Sequence, residues 1–295
     1  LARRLLSRGY AVHTILREKS NLWRIADIVP KLKIHRGDLL DSSWLLKTLQ
    51  AVKPHYIFHL AQYGGYPFQK DTEKIWQTNF LTTIRLLSAA EKVGFKKFIY
   101  AGSSSEYGRK NKPMSEKDML EPESDYASSK ASASLYCEHV GRDKKLPVTV
   151  LRLFSVYGPL EEPGRLIPTI LLRYLNNEKV ELASPKIARD FVHIDDVCEA
   201  FIKTASAKTD GKIINVGSGT QTTLKEVADT LSAVVGKNVP VVWDKTKGRS
   251  FETTKWVADT KYAKKLLKWK SIIDFKTGLR NTLSWMKINK KFYEN

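Results

Sequence analysis

Short runs of β-branched and aromatic residues recur along the first half of the chain, each separated from the next by a stretch of polar turn or helical period. The runs lie at 12–16, 32–35, 56–60, 98–102 and 148–153. Amphipathic helical patterns occupy 42–52, 73–93 and 125–143 between them. Strands that alternate with helices cannot pair as hairpins, so they predict an α/β protein with a doubly wound parallel sheet and right-handed crossovers. Beyond residue 155 the rhythm breaks. Helical segments near 166–176, 195–205 and 224–235 mix with short strand patterns at 180–182, 213–216 and 239–243. The expected organisation is a main α/β domain over 1–155 and a smaller α/β substrate lobe over 156–295, with some later segments returning to the main sheet.

Composition narrows the class. The 295 residues with 42% hydrophobic content suffice for one large core plus a smaller lobe. No apolar run approaches the roughly 20 residues that a membrane span needs. The opening residues already carry Arg3 and Arg4 in a helix-like pattern and do not read as a secretory leader. Cys137 and Cys198 lie far apart in helical segments, which predicts core packing in a reducing, cytoplasmic setting. The net charge of +19 raises the question of nucleic acid. Residues 245–295 hold 14 Lys/Arg against four Asp/Glu, and Lys261, Lys264, Lys265, Lys268 and Lys270 stand opposite Tyr262, Leu266, Leu267 and Trp269. That is the pattern of a solvated helix face, with no aromatics interleaved on a basic stripe, so neither a nucleic-acid nor a membrane partner is expected. The residual positive field favours anionic ligands.

The chain opens on Leu1 in mid-helix, and Gly9-Tyr10 leads into the first strand pattern. A dinucleotide-binding unit carries a strand and a glycine-rich phosphate loop before such a helix. Neither is present in this sequence, which reads as an N-terminally truncated fragment.

Two motifs carry chemistry. Tyr126-Ala-Ser-Ser-Lys130 places a phenol and an ammonium one turn apart on a helix face. A lysine there stabilises the phenolate and brings a tyrosine from about 10 toward neutrality, where it serves as an acid and base. Alone, the spacing equally describes a surface pair. Phe98-Ile-Tyr-Ala-Gly-Ser-Ser-Ser-Glu-Tyr107-Gly108 runs an apolar strand into three serines, with Ser103 23 residues before Tyr126. Hydroxyls at the carboxyl end of a parallel strand lie where ligands bind.

With these motifs the chain resembles the extended short-chain dehydrogenase superfamily, in its NAD-dependent epimerase/dehydratase branch of nucleotide-sugar enzymes. The resemblance runs nearly end to end. Gly37-Asp38-Leu39 and Phe58-His59-Leu60-Ala61 are similar to segments that line the dinucleotide, and Asn79 to the Asn of the long helix behind the active site. Arg152-Leu-Phe154-Ser155-Val-Tyr157-Gly158-Pro159 is similar to Arg-x-Phe-Asn-x-Tyr-Gly-Pro, and Arg189-Asp190-Phe191-Val-His193-Ile-Asp195-Asp196-Val197 to a substrate-lobe signature; Asn215-Val-Gly217 and Leu267-Lys-Trp269-Lys270 match later landmarks. The resemblance implies that Ser103, Tyr126 and Lys130 are catalytic. It implies that Asp38, Leu39, Leu60, Ala61, Asn79, Tyr126, Lys130 and Phe154 face the cofactor. It further implies that Ser104, Ser155, Arg189 and Arg249 face the substrate, the two arginines clamping its diphosphate. Arg249 reads equally well as a surface charge, and His59 and His193 read as packed histidines. No metal is implied. A homodimer through helices 73–93 and 125–143 is implied, with Trp76, Phe80, Ile84, Leu87, Leu135 and Tyr136 as surplus apolar residues.

Departures from the pattern shape the expectation. Ser155 stands where the pattern has Asn. Ser104 and Ser105 stand where 4,6-dehydratases carry acids, and Glu106 comes one residue later, on the opposite side if the segment is extended. Epimerisation or ketone reduction at a sugar carbon is therefore expected ahead of dehydration. Arg17, with Lys19 and Ser20 behind it, follows the second strand of such a fold, which favours NADP over NAD. The substrate expected is a nucleoside-diphosphate sugar. The alternative is a non-catalytic relative that senses NAD(P) or a nucleotide sugar; intact Ser103, Tyr126 and Lys130 speak against it.

Overall fold

The computed structural model describes residues 1–245 and 253–293. In chain order the elements are α1 (Ala2–Ser7), β1 (His13–Leu16), β2 (Lys33–Arg36), α2 (Ser42–Val52), β3 (Tyr56–His59), α3 (Thr72–Trp76), α4 (Thr82–Val93), β4 (Lys97–Ser103), α5 (Asp125–Arg142), β5 (Val148–Leu153), β6 (Ser155–Tyr157), α6 (Leu166–Leu175), β7 (Val180–Glu181), β8 (Ala188–Arg189), β9 (Phe191–His193), α7 (Ile194–Ser206), β10 (Lys212–Val216), β11 (Thr222–Thr223), α8 (Leu224–Val235), β12 (Val241–Val242), α9 (Lys261–Leu267) and α10 (Phe275–Ile288). Local chemistry sets many helix starts. Asp41, Asp71, Ser124 and Asp274 accept backbone N–H bonds as N-caps, and Thr223 with Glu226 closes a capping box. Each such cap contributes about 1 kcal/mol.

The chain divides into two compact units. The first comprises residues 1–106, 124–151 and 201–213. Its strands β3, β4 and β5 belong to a parallel sheet of order β10-β5-β4-β3, with β3 and β4 in register from Tyr56↔Lys97 to His59↔Tyr100. The core is built where α2, α4 and α5 cover these strands: Leu45, Leu49, Leu86, Leu87, Phe98, Tyr100, Ala133, Cys137, Val140, Val148 and Val150 are all buried. Every residue of β4 up to Gly102 is buried, as a central strand covered on both faces requires. β1 and β2 pair in parallel, His13↔Lys33 to Leu16↔Arg36, as a sheet of their own. Among the described residues β1 and β3 share no ladder.

The second unit comprises residues 107–123, 152–200 and 214–295. It holds short ladders: β6 with β9 and β7 with β12 in parallel, and β8 with β11 antiparallel. Buried Tyr107, Met114, Phe154, Trp256 and Ala258 form one of its packed clusters. Asp196 ties α7 to the chain before α10, its carboxylate accepting from Ser271 Oγ and the backbone N–H groups of Ile272 and Ile273.

Both cysteines are free and buried. Among the described residues no helix is long and apolar enough to cross a membrane, and no cluster of His, Cys, Asp and Glu could hold a metal ion.

Candidate active site

The site forms in the first unit, where α5 lies against the end of β4. Ser124 starts α5, its hydroxyl accepting from Ala127 N–H. Tyr126 follows in the first turn and Lys130 one turn on. Tyr126 is half-buried, while Lys130 is 2% exposed. The Lys130 ammonium donates to the Ala101 carbonyl at 2.5 Å and sits 4.2 Å above the ring of Tyr100. Ser103 is thus two residues along β4 from the lysine's anchor. Its hydroxyl bonds that of Ser105 at 2.8 Å and accepts the Ser105 N–H at 3.2 Å.

Burial is the dominant electrostatic influence here. Desolvation brings Lys130 from 10.5 down to about 8, with Glu106 and Cys137 pulling the other way. The same burial pushes the Tyr100 phenol and the Cys137 thiol up, keeping both neutral. His59 falls to about 3, first through desolvation and then through the Lys130 charge. It is buried with Nε2 3.0 Å from Thr83 Oγ1, a packed neutral histidine. In the second unit His193 is buried beside the Tyr157 ring at 5.4 Å.

Asn79 is fully buried and clamps the loop after β3. Its amide oxygen accepts from Tyr63 N–H, and its amide nitrogen donates to the Tyr63 carbonyl and to Ser129 Oγ of α5. A π turn over Gln77–Leu81, between α3 and α4, carries it. Such an extra residue in a helix re-aims the side chains around it. Leu60 is 44% exposed at the end of β3, with Ala61 half-buried behind it. Asp38 accepts from Leu40 N–H, and Leu39 packs against the core. Arg17 is exposed in the turn after β1, and the Arg36 guanidinium holds that turn by donating to the carbonyls of Arg17 and Glu18.

Of the residues assigned to substrate, Ser104 is buried and Ser155 is half-buried in β6, its N–H donating to the Asp190 carbonyl. Arg189 in β8 is half-buried, its guanidinium 5.3 Å from the ring centre of Trp256. Phe154 is 5% exposed within the Tyr107–Trp256 cluster. Arg249 lies outside the described residues.

Two groups that the sequence leaves outside the site join it, Glu106 and Ser134. Glu106 is fully buried. Its segment is a 3-10 turn, Ser104–Tyr107, so strand alternation does not apply, and the side chain folds back to accept from Ser103 N–H at 2.7 Å. Ser134, one turn beyond Lys130, donates to the same Glu106 oxygen at 2.9 Å. The stripe Tyr126, Lys130, Ser134 repeats at every fourth residue and was visible in the sequence; the fold-back of Glu106 was not.

A parallel sheet covered by helices, with a Tyr–Lys pair one turn apart beside the end of a central strand, defines a protein of the short-chain dehydrogenase type with a Rossmann-like fold. The model of the NAD dependent epimerase/dehydratase family matches residues 1–217, and the chain belongs to that family. It is 29% identical over 225 residues to a dTDP-D-glucose 4,6-dehydratase of Dictyostelium discoideum, covering 71% of this chain and 52% of the relative. The chain thus spans about half the length of that relative. Its fold is similar to a UDP-glucose 4-epimerase of Thermotoga maritima solved with UDP-glucose, with TM-score 0.90, 25% identity and coverage of 98% and 94% of the two chains. It is also similar to a UDP-glucuronic acid 4-epimerase of Bacillus cereus solved with UDP-glucuronic acid and NAD, with TM-score 0.87, 25% identity and coverage of 98% and 95%.

Proposed function

We propose that this protein modifies a nucleoside-diphosphate sugar by hydride transfer at a sugar carbon, as a 4-epimerase or a 4-keto reductase. The observation that carries the reading is the state of Lys130. An ammonium has three donors, and among the described residues the buried Lys130 uses one, on the Ala101 carbonyl. Two N–H groups in a buried cation fit the hydroxyls of a dinucleotide ribose and the oxygen of Tyr126. The nicotinamide supplies and accepts the hydride when bound. Tyr126 takes the proton from a sugar hydroxyl or returns it to a ketone, Lys130 holds the phenolate charge, and the Ser103 hydroxyl binds the same sugar oxygen. Asn79 steadies the loop after β3, along which Leu60 and Ala61 meet the dinucleotide with Asp38, Leu39 and Phe154. Ser104, Ser155, Arg189 and Arg249 take the nucleotide-sugar side.

The exposed Arg17, in a turn that Arg36 stiffens, supports NADP as first choice. A relative solved with NAD supports NAD as the second. The reading is tested by incubating the protein with UDP-, dTDP-, GDP- and CDP-sugars, with NAD and NADP each supplied, and resolving products by chromatography and mass spectrometry. A change at one sugar carbon without loss of water is expected, and Tyr126→Phe should abolish it, since positioned proton transfer contributes about 10²–10⁴-fold. Loss of water would assign the dehydratase reaction instead. Turnover undiminished in Tyr126→Phe would sink the assignment of the base.

A further inference from the structure

Glu106 is a charge fully buried beside the reacting groups and unused by the chemistry above. Its Oε1 accepts from Ser103 N–H at 2.7 Å and from Ser134 Oγ at 2.9 Å. The fit is close. A Cβ added at Gly102 would stand 2.8 Å from that oxygen and 3.0 Å from Ser134 Oγ, so the glycine in β4 makes room for the carboxylate. One oxygen therefore joins the end of β4, which presents Ser103, to the third residue of the stripe Tyr126, Lys130, Ser134 on α5. We propose that Glu106 is a positioning residue: its carboxylate fixes the turn that carries Ser103 and supplies the negative charge that keeps Lys130 an ammonium beside Tyr126.

The charges around Lys130 support this, and the proposal rests on the assignment of Tyr126 and Lys130 to proton transfer. On α5 Tyr126 stands one turn before the lysine and Cys137 acts on its charge; from β4 it faces Tyr100, from β3 His59, and from the turn Glu106. Cys137 and Tyr100 are held neutral by burial, and His59 loses its proton near 3. Among these groups Glu106 is the carboxylate, and it opposes the desolvation that pulls Lys130 down to about 8. Without that charge the ammonium deprotonates at lower pH. The proton then stays on the phenol, and the ion pair that lets Tyr126 act as a base is depopulated.

The test is Glu106→Gln, which keeps the shape and an acceptor oxygen but removes the charge, alongside Glu106→Asp. Lysine labelled with ¹⁵N is titrated by NMR, with the Lys130 signal assigned by its loss in Lys130→Met; the pH profile of kcat is measured in parallel. In a folded Glu106→Gln the Lys130 titration and the alkaline limb of kcat should both move down by about one to three pH units, the range for loss of one neighbouring opposite charge. Glu106→Asp, with the charge one methylene further back, should move both by less and restore most of kcat. A purely structural role lowers kcat evenly across pH and leaves the Lys130 titration in place, and that result overturns the proposal. If the Gln variant does not fold, the Asp variant decides: a small downward move is expected, and none overturns it. The NMR titration needs no substrate, so a protein inert toward every nucleotide sugar would defeat the proposed function while leaving this measurement intact.

Discussion

Replacing Lys130 by Met removes a buried charge at almost constant volume, and its consequence for stability runs against intuition. In the folded protein Lys130 releases its proton near 8 rather than at the ordinary 10.5. Between those values the unfolded chain binds a proton that the native state has lost, so stability rises with pH across that window. At about 1.4 kcal/mol per pH unit the gap is worth about 3 kcal/mol. Below pH 8 the native protein bears the whole cost of the buried ammonium; above 10.5 it bears none. Lys130→Met has no such group. It also leaves the Ala101 carbonyl without its donor, which costs about 1–3 kcal/mol. Near neutral pH the two effects are of similar size, and the variant should melt close to the wild type. From pH 8 to 10.5 the wild type should gain about 3 kcal/mol on the variant, read as the difference between urea unfolding curves taken at each pH. The difference cancels other groups that titrate in the same window. A difference that stays flat would mean that Lys130 is not desolvated in the folded state, and the electrostatic account of the site would fall with it.

Other parts of the site and surface make their own predictions. Arg17→Asp should weaken NADP binding by a factor on the order of 10–100, from loss of a hydrogen bond to a charged group, while NAD titrations hold or improve; equal loss for both would make Arg17 structural. Gly102→Ala should cost about 1–3 kcal/mol in unfolding experiments, because its Cβ stands 2.8 Å from the Glu106 oxygen and 3.1 Å from Val150 Cγ1; a neutral effect would show that the carboxylate is not held there. Leu81 is 38% and Leu135 51% exposed. If α4 and α5 pair two copies of the chain, Leu81→Glu with Leu135→Glu should shift sedimentation from dimer to monomer without changing the melt, whereas a wild type already monomeric at micromolar concentration would refute the pairing.

The strands and helices of the first unit were legible because burial fixes their period. The pattern at 148–153 is β5 as it stands, 42–52 is α2, and 224–235 in the second unit is α8. Legibility ended where one residue changes the register. The pattern at 73–93 reads as a single helix, but the π turn Gln77–Leu81 interrupts it and turns Asn79 onto Tyr63 and Ser129. Apolar periodicity cannot register one extra residue within a turn. The same pattern made Leu87 a surplus residue for an interface, yet it is 2% exposed in the core, and Phe80 and Tyr136 also pack partly against that core. In the second unit a strand pattern at 239–243 shrinks to β12, two residues paired with β7. Short ladders of that kind depend on partners distant in sequence, which a local pattern does not contain.

The order in which burial acts on this site explains why its strongest signal was a spacing rather than a composition. Tyr126, Lys130 and Ser134 share one face of α5 by helix geometry alone, so any sequence that forms the helix brings them into line. The value of that line comes from what lies opposite. A lysine facing water would remain an ammonium whatever its neighbours and would be screened from the phenol. Facing the Ala101 carbonyl and the Tyr100 ring instead, with 2% exposure, it is poised near 8 and responds strongly to each nearby charge. β4, buried from Phe98 to Gly102, thus has a chemical role of its own before Ser103: it supplies the dry surface against which Lys130 is tuned. It follows that a polar substitution beneath the lysine should change the acidity of the site without touching a reacting group. Tyr100→Phe keeps the ring and leaves the cation over it undisturbed, so it should keep the alkaline limb of kcat in place. Tyr100→Asn lets water or an amide reach the ammonium. It should raise the Lys130 titration back toward 10.5 and broaden the activity profile on the alkaline side. If both variants fold and titrate alike, the dryness of β4 is not what sets Lys130, and the burial argument that joins this strand to the chemistry fails.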